Sequence, residues 1–220
     1  MDARPLPHAR TAGRVTVRVH PTAIVEDGVE LGDGTAVWDN AHLRAGAVVG
    51  RDCIVGGKSY VAEDVRLGDR VKVNANVYIC AGVTVESGVM LSAYTVFTND
   101  RYPRATTPDL SELRASGVDE HTELTTVREG ATVGARSVIG PGLTIGRFAM
   151  VGMGATVTKD VDDFHLVVGA PARSVGAACR CGQVVARWSG DPPAGRLETK
   201  CDGCGLRYDV IDGRVGERDG

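Results

Sequence analysis

Two sets of side chains in this sequence have the types and spacing that chemistry needs. The first is a cysteine cluster late in the chain: Cys179 and Cys181 in CRCG, then Cys201 and Cys204 in CDGCG, with 19 residues between the pairs. Paired thiolates, each pair followed by Gly, can wrap one tetrahedral Zn²⁺ with the sulfurs about 2.3 Å away. Four sulfur ligands leave no open coordination position, so the expected zinc is structural, and disulfides are the poorer alternative in a reducing compartment. The second set recurs at intervals of 18 residues: Asn40, Lys58, Asn76 and Tyr94, with Trp38, Gly56, Asn74 and Ser92 two places earlier in each. Asn tolerates left-handed φ, so turn chemistry alone would account for Asn40. The segments KVNANVY (72–78) and FTNDRYPRA (97–105) are harder to reduce to turns. His42 is a candidate general base, because imidazole titrates near neutrality.

Residues 18 apart meet only if the backbone itself repeats. Stepping by six from Val19 through Val25, Leu31, Val37, Leu43 and onward to Leu91 and Phe97 lands on a large aliphatic residue or Phe 14 times in succession. A second run reads Val127, Val133, Ile139, Ile145, Val151, Val157. Two places before these positions the residues are small or β-branched, as at Ala23, Ala41, Cys53 and Ser59, and Gly often stands just after, as at Gly32, Gly50, Gly134 and Gly152. A period of six fits neither a helix nor an alternating hairpin sheet. It fits a short strand and a tight corner, with two inward side chains per unit and Gly where the corner needs unusual φ. Three units close a triangular coil of about 18 residues that stacks on the next at about 4.8 Å. The expected fold is therefore all-β, a parallel β-helix of about six to seven coils.

Around this prism the chain divides into a lead-in over 1–18, the repeat domain over 19–178 and an appendix over 179–220 that reads as a zinc ribbon. Residues 98–126, polar and Pro-containing, interrupt two well-phased blocks and read as an active-site loop. Residues 163–178 leave the period and should cap the open end. Cys53 falls at an inward position and Cys80 at a corner. Charge is nearly balanced, 25 basic against 28 acidic residues for a net −3, which argues against a nucleic-acid partner. No stretch approaches the roughly 18 apolar residues of a membrane span, and MDARPLPHAR does not read as a signal segment, so a cytoplasmic location without membrane attachment is expected. With 29 Gly and only 5% aromatic residues, a large helical bundle is excluded.

Over residues 19–175 the repeat resembles the left-handed β-helix, or hexapeptide-repeat, acyltransferases. The resemblance, not the periodicity, implies the left hand, and it implies a homotrimer with active sites between neighbouring prisms. VWDNAHL (37–43), KVNANVYICAGVTVE (72–86), FTNDRYPRA (97–105) and LVVGAPAR (166–173) resemble the enzymes that use acetyl-CoA to N-acetylate 3-amino sugars carried on UDP or dTDP, for surface polysaccharides or glycosides. Those enzymes usually carry aromatic and His residues where Asp39 and Asn40 stand, and Gln-Asn-Asn where Asn74-Ala75-Asn76 stands. The resemblance implies that Asn76 orients the amine with Asn74 in support, and that Lys58 and Tyr94 contact substrate. Asn99 and Arg104 would hold the sugar nucleotide, Arg104 at its diphosphate. Coenzyme A would lie along Gly152, Gly154, Ala155 and Lys159, with Arg173 near its phosphates. A sugar O-acetyltransferase of the same fold would demand a stronger base and give His42 that role. A non-catalytic prism scaffold would need neither the polar corner nor the loop. A carbonic-anhydrase-like zinc enzyme would need three converging His, a pattern that His20, His42 and His121 do not show. His165 in the cap reads as a packing or coenzyme-side residue.

Overall fold

The computed structural model of the chain describes residues 16–114 and 117–218, so the lead-in lies outside the described residues up to position 15. Each six-residue unit becomes a two-residue strand and a corner. In a strand such as Tyr60–Val61 the first side chain faces outward and the second is buried. Strands stack in parallel on three faces. The first holds Arg18–Val19, Ala36–Val37, Ile54–Val55, Lys72–Val73, Met90–Leu91, Thr132–Val133, Met150–Val151 and His165–Gly169. The second holds Ile24–Val25, His42–Leu43, Tyr60–Val61, Tyr78–Ile79, Val96–Phe97, Val138–Ile139 and Thr156–Val157. The third holds Glu30–Leu31, Val48–Val49, Arg66–Leu67, Val83–Val85, Thr125–Val127 and Thr144–Ile145. Eight, seven and six parallel strands make seven coils, at the upper end of the expected number. Among the described residues there is no helix, and so none long and apolar enough to cross a membrane.

One core fills the prism. Its largest buried members, Leu43, Ile79, Leu91, Phe97, Ile139 and Ile145, are all period-six positions. The small inward residues have their own logic. Thr35, Ser59 and Ser137 donate their hydroxyls to the carbonyls of Gly50, Asn74 and Gly152 at 2.7, 2.9 and 3.0 Å, so polar groups at the corner are satisfied inside the core.

The corner glycines correct the expectation about φ. Every sixth residue from 28 to 94, and again from 130 to 154, has positive φ. The glycines directly after the core positions are not among them. A Cβ on Gly134 would lie 2.6 Å from the backbone nitrogen of Met153 in the next coil, and one on Gly50 would lie 2.6 Å from the carbonyl of Gly68. These glycines let coils stack closely. The left-handed residue comes two places later, where Gly34 and Gly154 share the role with Asn40, Lys58, Asn76, Tyr94 and Arg136.

The long interruption is an insertion at one corner. On the third face Val85 pairs with Val127, 42 residues on, where Val49 and Leu67 pair at a spacing of 18. The chain leaves after Phe97 and returns at Thr125 without losing phase. The loop is tied down by bridges from Asp100 to Thr122 and from Thr106 to Leu113, and by the Arg101–Glu123 ion pair at 3.0 Å.

At the other end, His165–Gly169 completes the first face and Ala172–Ala178 turns back antiparallel to it, followed by Val184–Arg187. The cap and the start of the appendix are thus one sheet that runs across position 178. A three-stranded antiparallel sheet, Arg196–Lys200, Arg207–Ile211 and Arg214–Glu217, follows. Phe164, Ala177, Tyr208 and Val210, with Phe148 and Trp188 against them, join cap and appendix in a second core. His165 serves that junction. Its Nε2–H donates to the Gly213 carbonyl at 2.8 Å, its Nδ1 accepts from Ser174 at 2.9 Å, and its ring meets Trp188 edge-on.

Candidate active-site groove and four-cysteine centre

The polar column forms one continuous edge between the first and second faces. Lys58 N–H donates to Asp39 O at 2.9 Å, Asn76 to Gly57 O at 3.0 Å and Tyr94 to Ala75 O at 3.2 Å. The same ladder then passes Arg136 to reach Gly154, whose N–H donates to Ala135 O at 2.8 Å. Asn40, Lys58, Asn76, Tyr94 and Gly154 therefore share an edge. Asn76 and Gly154 are three coils, about 14 Å, apart along it. Left-handed φ costs a β-carbon-bearing residue roughly 1–2 kcal/mol, a strain that Lys58, Tyr94 and Arg136 all accept here. Asn74, half-buried beside them, uses its carbonyl for the Ser59 hydroxyl.

The expected coenzyme strip is only partly at the surface. Ala155 is fully buried, because it occupies the small inward position two before Val157. Gly152 is covered by the next strand, where an added Cβ would meet Val168 Cγ1 at 2.8 Å. Gly154 does face open space, with no neighbour within 4 Å of an added Cβ. Lys159 and Arg173 lie apart from that edge but line one crevice at the capped end, with Asp160, Asp162, His165 and Pro192.

The second face contributes residues that the polar corner column does not contain. Its outward column runs His42, Tyr60, Tyr78, Val96, Val138, Thr156. Glu26 lies below His42 and accepts its Nε2–H at 2.6 Å. Glu26 also accepts from Arg44 Nε and from the Ala45 N–H, both at 3.0 Å. The His42 bond, the Ala45 bond and Arg44 together hold the Glu26 carboxyl down at about 2. An ionised carboxylate can only accept, so His42 carries its proton on Nε2 and keeps Nδ1 as the basic nitrogen, the arrangement of a carboxylate-oriented base. Arg44 donates to the Tyr60 hydroxyl at 2.7 Å, the His42 ring meets Tyr60 edge-on, and Tyr60 stacks on Tyr78 with centroids 5.3 Å apart. The outward positions at a spacing of 18 held this signal, while the Glu26–His42 bond required the folded corner.

Above Tyr78 a cavity of about 720 Å³ opens beneath the long loop. Asn99 lines it, its side-chain amide donating to Ala81 O at 3.0 Å. Arg101, not Arg104, is the loop arginine in its wall; Arg104 is exposed and bonds Pro103 O. Buried Cys80 borders the same space, and burial pushes its thiol up to about 11, so it is no nucleophile at neutral pH. The loop root and the Asn76 edge flank the second face on opposite sides. Asn76 and Ala81 are five residues apart, about 16 Å of extended chain, with the His42–Tyr60–Tyr78 column of the second face between them.

The four cysteines converge. All four Sγ atoms lie within 4.8 Å of one another, with Cys179 and Cys204 at 3.3 Å and Cys181 and Cys201 at 3.4 Å. Each pair sits on a tight turn: Gly182 N–H donates to Cys179 O and Gly205 N–H to Cys201 O, and both glycines take positive φ. Tetrahedral sulfurs about 2.3 Å from an ion stand roughly 3.8 Å apart, so the donor set fits a metal of that geometry.

Residues 46–81 and 125–159 match the family model described as hexapeptide repeat of succinyl-transferase. The prism is built of hexapeptide repeats. Over 35 residues the chain is 54% identical to an acyl-[acyl-carrier-protein]–UDP-N-acetylglucosamine O-acyltransferase of Brucella ovis, a stretch covering 16% of this chain and 13% of that protein. Among solved structures it is similar to the acetyltransferase domain of PglB from Neisseria gonorrhoeae, with 21% identity, TM-score 0.40, and 74% and 60% of the two chains covered. PerB from Caulobacter crescentus, in complex with CoA and GDP-perosamine, gives 24% identity, TM-score 0.38 and coverage of 74% and 58%. AntD, an N-acyltransferase from Bacillus cereus in complex with dTDP and 3-hydroxybutyryl-CoA, gives 15%, 0.39, and 76% and 86%. The chain spans about three-fifths of the first two of these structures.

Proposed function

We propose that this protein is an acetyl-CoA-dependent N-acetyltransferase acting on the 3-amino group of a sugar carried on UDP or dTDP. The observation that carries the reading is the second face, with the Glu26-oriented imidazole of His42 on it and the Asn76–Gly154 edge along one side. Transfer to an amine needs an unprotonated nucleophile, alignment with the thioester and donors for the developing oxyanion. The Asn76 side-chain carbonyl accepts an amine N–H and aims the lone pair. As the C–N bond forms and the C–S bond breaks, the departing thiolate of coenzyme A takes the proton that the amine loses; His42, two coils from Asn76 and about 9 Å away along the axis, is the alternative base for that proton. Gly154, open and left-handed, leaves room for the pantetheine to lie close against the backbone at the upper end of the edge. No cation is needed at the reacting carbon; Lys159 and Arg173 sit at the capped end, where they suit phosphates.

The Asn76 edge and the loop root stand on opposite sides of the second face, too far apart to grip one small sugar within a single chain. An assembly of three prisms would bring a second chain against this face, and exposed apolar loop residues such as Tyr102, Leu110 and Leu113 are suited to being covered by it. The cysteine centre holds structural Zn²⁺ in this reading, clamping the appendix to the cap, and the protein works in the cytoplasm, where acetyl-CoA and nucleotide sugars are available.

The Glu26–His42 pair favours one second reading, an O-acetyltransferase of the same fold, since a hydroxyl needs a base more than an amine does. Thiol release from acetyl-CoA across matched amino and hydroxyl sugar nucleotides tests both. Turnover confined to the amino sugars supports N-transfer; turnover confined to hydroxyl acceptors overturns it.

A further inference from the structure

We infer that the four-cysteine centre is a site of reversible oxidation, at which hydrogen peroxide joins Cys179 to Cys204 and Cys181 to Cys201 as disulfides and so dismantles the metal-binding set. This rests on the proposed zinc only for the ion released; the pairing follows from where the sulfurs stand. Cys179 and Cys201 are 2% and 1% exposed, packed in the second core with Phe164 and Tyr208. Cys181 and Cys204 are exposed. Each close pair takes one sulfur of each kind, Cys204 beside Cys179 at 3.3 Å and Cys181 beside Cys201 at 3.4 Å. A residue that an oxidant can reach thus stands next to one that it cannot, the arrangement of a reactive cysteine with a resolving partner. The fully buried Tyr208 hydroxyl accepts from the Arg180 N–H at 3.0 Å and donates to Cys179 Sγ at 3.1 Å, which holds the resolving sulfur against Cys204.

Coordination supplies the reactive form, because a coordinating thiol is deprotonated outright and the thiolate is the nucleophile. The Cys204 thiolate attacks one oxygen of the peroxide; an S–O bond forms, the O–O bond breaks, and the other oxygen leaves as hydroxide. The Cys179 thiolate then attacks the Cys204 sulfur, forming the S–S bond and expelling the sulfenic oxygen as a second hydroxide. Two thiolates have lost two electrons, one peroxide has gained them, and solvent protons turn both hydroxides to water. A second peroxide does the same at Cys181 and Cys201. A disulfide sulfur no longer carries the thiolate charge of a ligand, so the ion is released. Both bridges cross from the Cys179–Cys181 turn to the Cys201–Cys204 turn, and the oxidised appendix stays closed on itself. A dithiol reductant reverses the change by thiol–disulfide exchange. Cys53 and Cys80 are buried in the prism core and take no part. Transient bridges of this kind are the ones that reducing compartments use for redox sensing.

The test treats the full chain, loaded with zinc and freed of excess, with hydrogen peroxide. Released zinc is followed with a chromogenic chelator, thiols are counted in denaturant, and bridges are mapped by mass spectrometry of unreduced peptides. Cleavage after Arg180 and before Asp202 separates all four cysteines of the centre. The expected result is one zinc released per chain and four of the six thiols lost, with peptides joined as Cys179–Cys204 and Cys181–Cys201. Dithiothreitol should restore the four thiols and the capacity for zinc. Bridges within a turn, Cys179 to Cys181 or Cys201 to Cys204, overturn the inference. So does a loss of thiols that dithiothreitol does not reverse, or an intact thiol count at a peroxide dose that consumes the same concentration of glutathione. The same data separate the inference from the zinc reading. A chain that takes up no zinc yet forms the two crosswise bridges would sink the zinc and spare the oxidation site. Bound zinc that such a dose leaves in place would do the reverse.

Discussion

Glu26→Gln probes the orientation of His42 most selectively. The substitution keeps size and one carbonyl acceptor but removes the negative charge that Glu26 holds down to about pH 2. In the wild type that charge fixes the His42 Nε2–H at 2.6 Å and leaves Nδ1 to accept a proton. With Gln, the side chain can donate as well as accept, so the imidazole loses its reason to keep one tautomer. Positioned bases are worth about 10²–10⁴ in rate, and losing only the orienting partner should forfeit part of that, roughly 10- to 100-fold in kcat. His42→Ala should cost more, up to about 10²–10⁴ in kcat, while the ascending limb of the pH–rate profile persists, because the acceptor amine must itself lose a proton to react. The fold should not suffer, since the paired side chains are about 30% exposed and solvent screens such a pair until it adds little to stability. The assay is thiol release from acetyl-CoA against pH, with a melting curve for each variant. Rates for Glu26→Gln and His42→Ala both within about threefold of wild type would refute a catalytic His42 and leave Asn76 to act alone.

Other expectations concern the scaffold. Gly134→Ala forces a Cβ to within 2.6 Å of backbone in the next coil and should cost about 1–3 kcal/mol, read as a lower denaturant midpoint; Gly154→Ala has room and should lose only the roughly 1–2 kcal/mol of left-handed strain, with an equal cost for the two contradicting the stacking role. Cys201→Ser should abolish binding of one zinc per chain and lower the apparent melting temperature by several degrees, at about 3 °C per kcal/mol; zinc retained by the variant would refute the four-thiolate centre.

How much of this was legible beforehand depended on which physics wrote the pattern. Core burial writes a period of six, so Val19 to Phe97 disclosed the prism, and the 18-residue spacing placed Asn40, Lys58, Asn76 and Tyr94 on one edge. Ala155 was readable too, because its place two before Val157 is the small inward position. The role of the glycines was not, since sequence cannot separate a residue needed for φ from one needed for close approach, and only stacked coils show that Gly134 is the second kind. Outward strand residues vary freely, so His42, Tyr60 and Tyr78 stood at the right spacing without announcing a column. The Glu26–His42 bond runs from the corner residue after one second-face strand to the next strand of that face, at a spacing of 16 and not 18, and Arg101 gives no more sign of its role than Arg104 because the course of the loop is not periodic. The appendix was recognisable by its cysteines, but the sheet shared with the cap arises from Ala172–Ala178 turning back on the first face, which no repeat encodes.

The central claim is tested most directly by incubating the purified protein with acetyl-CoA and a UDP- or dTDP-linked 3-amino sugar and identifying the product by mass spectrometry and NMR. The account predicts one amide formed at the 3-amino nitrogen for each thiol released. Thiol release with no amide, or with an ester in its place, would contradict it.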